Sequence, residues 1–163
     1  MIVRYACRAA VTVALATFGG TTARAQSTTQ TVSFAINAIN QIAFAGAPSL
    51  TVSTAIAGAA PSSVTNATAT WAVTTNQSGA KITASIPSGM PAGLTLSSSL
   101  APPLGATSGG YLPLGTVAVD LVTGITKVAQ GALVVTYKLD ATAAAGVVSA
   151  SSRIVTYTIT GGT

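Results

Sequence analysis

The sequence predicts an all-β fold, an antiparallel β-sandwich of about eight strands, and three observations support this prediction. Apolar residues alternate with polar or small residues in short runs along the chain after residue 25. Glycine, proline, asparagine and serine are concentrated between these runs, where turns are needed. The alanine-rich stretches 55–60 and 141–148 are short and contain Gly or Thr, so we expect loops there, or a single helical turn at most.

Residues 1–25 are predicted to be a signal peptide that is cleaved after Ala25. Arg4 and Arg8 give it a basic start, a predominantly apolar stretch follows, and the chain then reaches the small-x-small tripeptide 23–25. The short, alanine-rich leader is typical of bacteria. We therefore expect export to the periplasm, the cell surface or the medium.

Residues 26–163 are predicted to form one domain. This length allows a domain to bury enough surface without disulfide bonds. Cys7 is the only cysteine, and it lies before the apolar stretch of the leader, whereas a lipid-anchored cysteine would follow that stretch at the cleavage point. Lipid attachment is therefore disfavoured.

The predicted strands are the runs in which alternate apolar residues would share one buried face. In chain order they contain Val32/Phe34/Ile36, Leu50/Val52, Trp71/Val73, Ile82/Ala84/Ile86, Leu94/Leu96, Val117/Val119/Leu121, Leu133/Val135/Tyr137/Leu139 and Val155/Tyr157/Ile159. Ile39–Phe44 is a ninth candidate. The alternation loses phase at Asn37–Asn40, which predicts a bulge or turn there. Short strands separated by turns favour an immunoglobulin-like arrangement.

The connections and the two terminal strands carry further expectations. Ser88–Gly93 lies between two alternating runs and predicts a hairpin. Pro113 restricts its run to a sheet edge or a strand start, because proline cannot donate to a ladder. Thr29–Ile36 and Ser152–Thr160 alternate strongly at the two ends of the domain. Strands in these positions either pair within their own domain or are donated to a neighbouring subunit.

The charges after the leader are few and dispersed. Four basic residues and two acidic residues give a net charge of +2: Lys81, Lys127, Lys138, Arg153, Asp120 and Asp140. A nucleic-acid partner is not expected, because binding needs a clustered basic surface. A membrane span is not expected either, because no segment approaches about 20 consecutive apolar residues. So little charge is compatible with self-association, and it is equally compatible with an ordinary extracellular bacterial domain, many of which have this composition.

An enzymatic function is not predicted. Residues 26–163 contain no His and no Cys, so a nucleophilic serine would have no histidine as its base. Asp120 and Asp140 each follow an apolar strand run and are interpreted as residues of strand ends. Two carboxylates without an Asp-rich loop do not predict a metal site, and no cofactor is expected.

A carbohydrate site is the alternative that the sequence leaves open. Trp71, Tyr137 and Tyr157 are in phase with aliphatic strand neighbours and are expected in the core. Tyr111 follows two glycines and is expected to be accessible, so it could stack on a sugar ring. The side-chain amides of Asn66 and Asn76 would supply hydrogen bonds to such a ligand.

The two ends of the domain resemble bacterial secreted β-sandwich surface proteins, a group that includes fimbrial subunits and spore-coat-U-like domains. The resemblance is carried by the leader, by the opening strand Gln30–Phe34 and by the alternating Thr and Tyr of the closing strand Arg153–Thr160. Chaperone-assembled fimbrial subunits commonly have a disulfide and a penultimate tyrosine. This domain has no cysteine, and Gly162 is the penultimate residue.

The sequence therefore predicts a non-catalytic, secreted bacterial structural or surface protein. A fimbria-like or matrix subunit that associates through its edge strands is the favoured hypothesis. A small extracellular module that binds carbohydrate or another ligand is the second.

Overall fold

The computed structural model describes residues 24–163, so the predicted signal peptide lies outside the described residues except for its last two positions. The chain divides into two units at Ala35 and Ile36. The described part of the first unit, residues 24–35, contains no helix or strand, and each of its residues is exposed. All regular secondary structure described lies in the second unit, Ile36–Thr163.

The second unit contains nine β-strands. They are β1 (Asn40–Ala45), β2 (Val64–Thr75), β3 (Ala80–Ser85), β4 (Leu94–Leu100), β5 (Thr107–Ser108), β6 (Leu112–Pro113), β7 (Val119–Ile125), β8 (Val128–Ala141) and β9 (Thr156–Thr160). A single 3-10 turn, Ala143–Ala145, follows β8. This confirms the expectation of at most one helical turn in stretch 141–148. No described helix is long and apolar enough to cross a membrane.

The strands form two antiparallel sheets, which confirms the predicted all-β class. The first sheet has five strands in the order β1-β2-β8-β4-β6, and the second has four in the order β5-β7-β3-β9. β2 and β8 are the longest strands and pair from Val64↔Leu139 to Thr75↔Val128, with two register shifts between these ends. β1 and β9 are terminal strands, so each has one unpaired edge.

The hydrophobic core takes side chains from both sheets. On β2 the buried positions alternate, with Ala69, Trp71, Val73 and Thr75 below 6 % exposure. This is the period expected of a strand with one buried face. β3, β4, β7 and β8 contribute further large side chains that are fully buried, among them Ile82, Leu100, Leu121, Val122, Ile125 and Val135. The indole Nε1 of Trp71 donates to the Ala101 carbonyl oxygen at 3.1 Å, so its polar group is satisfied in the core.

Two of the predicted strands are absent. Thr29–Ile36 forms no strand, whereas the ninth candidate, Ile39–Phe44, forms β1 with a shift of one residue. The physical reason lies in β2, which ends at Thr75, opposite Asn40. β2 therefore has few residues with which the chain before Asn40 could form further ladder hydrogen bonds.

The run Leu50/Val52 also forms no strand. Gly46 turns the chain at the end of β1 with φ of +104°, and a Cβ there would come within 2.9 Å of the Ala69 Cα. Beyond this turn the Ser49 carbonyl accepts a hydrogen bond from the Asn66 side chain. Ser49 is thus joined to β2 by a hydrogen bond from the Asn66 side chain, where a backbone ladder was predicted.

The segment Ser88–Gly93 is not a hairpin connection. It joins β3 of the four-stranded sheet to β4 of the five-stranded sheet, so the chain crosses from one sheet to the other. Local alternation identifies strands but not their partners, which explains the wrong prediction. Pro113 lies in β6, the terminal strand of its sheet, as its missing N–H predicted.

Candidate functional site

A large groove opens where the two sheets end side by side, and we call it the edge groove. Its volume is about 1020 Å³. It begins at Phe44 of β1 and Tyr157 of β9, each of which is a terminal strand of its sheet. Most of its large side chains are apolar: Phe44, Leu50, Val52, Met90, Leu94, Leu96, Leu139, Val148 and Val155. An apolar opening of this size is a candidate binding site.

Aromatic rings form one end of the edge groove. The ring of Phe44 stacks on Tyr157 with centroids 3.9 Å apart, and on Trp71 at 5.9 Å. The Tyr157 hydroxyl lies 2.7 Å from that of Tyr137 and 3.3 Å from the Ser98 Oγ. These contacts connect strands of both sheets at the aromatic end of the groove.

Both tyrosines of this cluster remain neutral at physiological pH. Burial raises the pKa of Tyr157 far above its ordinary value, because a phenolate would be poorly solvated there. Burial also raises the pKa of Tyr137, while its hydrogen bond to Tyr157 acts in the opposite direction. The cluster therefore offers hydroxyl groups and no charge.

Among residues 24–163, Arg153 is the one charged residue that lines the edge groove. Its Nη1 donates to the Ser152 carbonyl at 2.9 Å, and its Nη2 donates to the Gly89 carbonyl at 3.4 Å. Its Nε is buried and has no hydrogen-bond partner among the described residues. No carboxylate lines the groove, so an anionic or neutral occupant fits it better than a cation.

Residues 29–36, which we call the alternating segment, have the opposite character. Val32, Phe34 and Ile36 are 74 %, 91 % and 81 % exposed. Residues between them are small or polar, and the segment contains no charged residue. Three large apolar side chains at every second position would lie on one face of an extended strand. An exposed apolar row of this kind is typical of a surface that is buried by a partner.

Asn76 fixes the chain where it enters β1. Its Oδ1 accepts from the Ile39 N–H at 2.8 Å, and its Nδ2 donates to the Asn37 carbonyl at 2.8 Å. Its own backbone N–H donates to the Ile39 carbonyl at 3.3 Å. Asn76 was predicted as a sugar-binding residue, and the structure gives its amide internal partners.

The other predicted ligand residues lie apart from Asn76. Asn66 donates to the Ser49 carbonyl and accepts from the N–H and Oγ1 of Thr68. Asn66 and Asn76 are separated by most of β2, which corresponds to roughly 30 Å of extended chain. Tyr111 is 48 % exposed and precedes β6, three strands away from β2 in the same sheet. The three predicted residues therefore do not converge on one pocket.

Both carboxylates are engaged in ion pairs. Asp120 lies 3.0 Å from the Lys81 Nζ, and Asp140 lies 3.0 Å from the Lys138 Nζ. Asp140 also accepts from the Ser63 hydroxyl, and these hydrogen bonds lower the pKa of its carboxyl group. Among residues 24–163 no three His, Cys, Asp or Glu side chains are close enough to hold a metal ion together.

Comparison with known proteins returned no match among family models, curated proteins or solved structures. Function is therefore inferred from the edge groove and the alternating segment. Sequence analysis identified the alternating segment but not the groove. Phe44 and Val155 were visible only as members of strand runs, and Arg153 stood out only as the single arginine after the leader.

Proposed function

We propose that this protein is a secreted bacterial structural subunit that assembles into fimbria-like or matrix polymers by strand donation. The alternating segment of one copy would fill the edge groove of the next. In this proposal the two sheets form an immunoglobulin-like β-sandwich whose open edge is completed by the neighbouring subunit. One observation carries the proposal: an uncharged, exposed apolar strand sequence and an open apolar groove occur in the same chain.

The size and pattern of the two surfaces support the proposal. In an extended strand Val32 and Ile36 are roughly 13 Å apart, with Phe34 midway between them on the same face. The edge groove, of about 1020 Å³, has room for three such side chains. Burying each of them contributes about 1.5 to 3 kcal/mol.

The backbone supports it as well. β1 and β9 are terminal strands, so each presents unpaired N–H and C=O groups along one edge. A strand added at such an edge gains main-chain hydrogen bonds, and its alternate side chains enter the pockets beneath. The docked strand would bring no charge into the groove, because residues 25–36 contain neither acidic nor basic side chains.

Light scattering after size-exclusion chromatography tests the proposal. We expect residues 26–163 to form oligomers, and a chain that starts at Asn37 to be a folded monomer. A full-length double substitution, Val32→Ser with Phe34→Ser, should also be monomeric, and a peptide of residues 26–36 should bind to it. A monomeric wild-type chain, or a double variant that assembles like wild type, would refute strand donation.

Carbohydrate binding is the second candidate, and the exposure of Tyr111 favours it. Tyr111 is 48 % exposed and lies beside a sheet edge. If the protein binds a sugar there, a glycan array should detect binding that Tyr111→Ala abolishes. Absence of binding across a broad array would exclude this candidate.

A further inference from the structure

The alternative to strand donation is that the alternating segment pairs within its own subunit. If the alternating segment turned back at residues 37–39, it would pair antiparallel with the unpaired edge of its own β1. A three-residue turn would place Phe34 opposite Ile42 and Val32 opposite Phe44. Paired residues share a face, so the apolar side chains would lie on the face of β1 that carries Ile42 and Phe44. Such a hairpin would fill the edge of the subunit from within.

The hydrogen bonds that residues 37–39 make with Asn76 oppose that turn. Ile39 pairs with Asn76 through two hydrogen bonds, the Ile39 N–H to Oδ1 and the Asn76 N–H to the Ile39 carbonyl. The Asn76 Nδ2 also donates a hydrogen bond to the Asn37 carbonyl. These three hydrogen bonds extend the pairing of β1 with β2 beyond Thr75, and two of them are made by the Asn76 side chain. A reversal of the chain at 37–39 would have to break the bonds to Asn37 and Ile39.

Asn76 is itself held in place. The Thr75 hydroxyl donates to the Asn40 Oδ1 at 2.6 Å and accepts from the Gln77 N–H at 3.0 Å. Ser78 and Thr163 exchange two backbone hydrogen bonds, at 3.0 and 3.2 Å. These hydrogen bonds hold the residues before and after Asn76 in place.

Ile39 adds a second obstacle to the hairpin. Three-residue hairpin loops commonly place their last residue in the left-handed region. That position would fall on Ile39, and a β-branched residue is strongly disfavoured there. The sequence at 37–39 and the amide of Asn76 therefore oppose the same turn.

We propose that Asn76 is a positioning residue that commits the alternating segment to a second copy of the chain. By holding residues 37–39 extended it prevents the subunit from completing its own edge. This inference depends on the strand donation proposed above. Loss of the two side-chain bonds should favour the self-paired hairpin by roughly tenfold or more.

Full-length variants of residues 26–163 test the inference. Asn76→Ala removes both side-chain bonds, and Ile39→Gly permits the turn while Asn76 is retained. Gln130→Ala and Ile39→Val are the controls. Gln130→Ala removes a side-chain amide that bonds to the Leu104 N–H and does not line the edge groove, and Ile39→Val keeps a β-branched side chain at the turn position. Mass is measured by light scattering, and hydrogen exchange reports on the amides of residues 31–36.

Asn76→Ala and Ile39→Gly should both shift the protein toward monomers in which the amides of residues 31–36 exchange slowly and which no longer bind the peptide 26–36. The controls should assemble like wild type. If both test variants also assemble like wild type, or give monomers with rapidly exchanging amides, the role of Asn76 is refuted while strand donation stands. A monomeric wild-type chain with rapidly exchanging amides would instead refute strand donation itself. Ile39→Gly decides the question if Asn76→Ala fails to fold.

Discussion

Replacing Phe34 by alanine should weaken assembly without affecting the fold of the subunit. Phe34 is 91 % exposed, so nearly its whole side chain is available for burial in a neighbouring groove. Burial of a phenylalanine side chain contributes about 1.5 to 3 kcal/mol. The dissociation constant of the assembly should therefore rise by roughly 10- to 150-fold.

A labelled peptide provides the assay. Fluorescence anisotropy follows binding of residues 26–36, with either Phe34 or alanine, to the full-length double variant Val32→Ser with Phe34→Ser. A Ser33→Ala peptide is the control, because Ser33 lies on the opposite face of the extended segment and should change binding little. At concentrations at which both chains are monomeric, the melting temperature should not fall with Phe34→Ala, since this residue is outside the hydrophobic core.

Equal binding of the Phe34 and alanine peptides would refute the reasoning. So would an equal loss of affinity with Ser33→Ala, because the segment would then not bind with one face. A large fall in the melting temperature of the monomer with Phe34→Ala would show that the side chain stabilises its own subunit.

Three further predictions concern stability. Burial raises the pKa of Tyr157, so its contribution is complete below a pH of about 10 and is lost above it, by up to about 1.4 kcal/mol per pH unit. Urea unfolding between pH 9 and 11.5 should show this loss, and Tyr157→Phe should reduce its slope. The hydrogen bond from Ser63 is the largest cause that lowers the pKa of Asp140, so stability is gained above a pH of about 4 and lost as the pH falls. Thermal unfolding from pH 2 to 5 should be less pH-dependent in Ser63→Ala, and an unchanged profile would contradict the assignment. Gly162→Ala should lower the melting temperature, because its Cβ would overlap the Ser78 carbonyl, whereas Gly89→Ala, with open space at that position, should not.

The strands with a strict alternation and a partner on each side were predictable from the sequence. β8 carries Leu133, Val135 and Tyr137 at every second position, and it lies between β2 and β4. Burial on one face sets its pattern, so the pattern alone identifies the strand. The same holds for Trp71 and Val73 of β2.

The alternating segment shows why pattern alone was not sufficient. Its residues have the same alternation as β8, yet they form no strand: β2 ends at Thr75, opposite Asn40, and so provides no edge for residues 29–36. Alternation in the sequence indicates that one face of a strand becomes buried, but it does not indicate whether the partner belongs to the same chain. The edge groove was not predictable for a similar reason, since Phe44 and Arg153 are brought together only by the tertiary fold.

The two ends of β1 give the subunit a direction. The chain enters at Asn40, beside Thr75 and the Ser78–Thr163 pairing, whereas the edge groove opens at Phe44, toward the other end of the strand. A contact that joins two different surfaces does not close on itself as a twofold dimer does, and it propagates into an open filament when the rotation does not close a ring. Such a filament has two unlike tips, one with an unfilled groove and one with an unused strand. A short soluble peptide of residues 26–36 should therefore stop growth at the first tip and leave the other untouched.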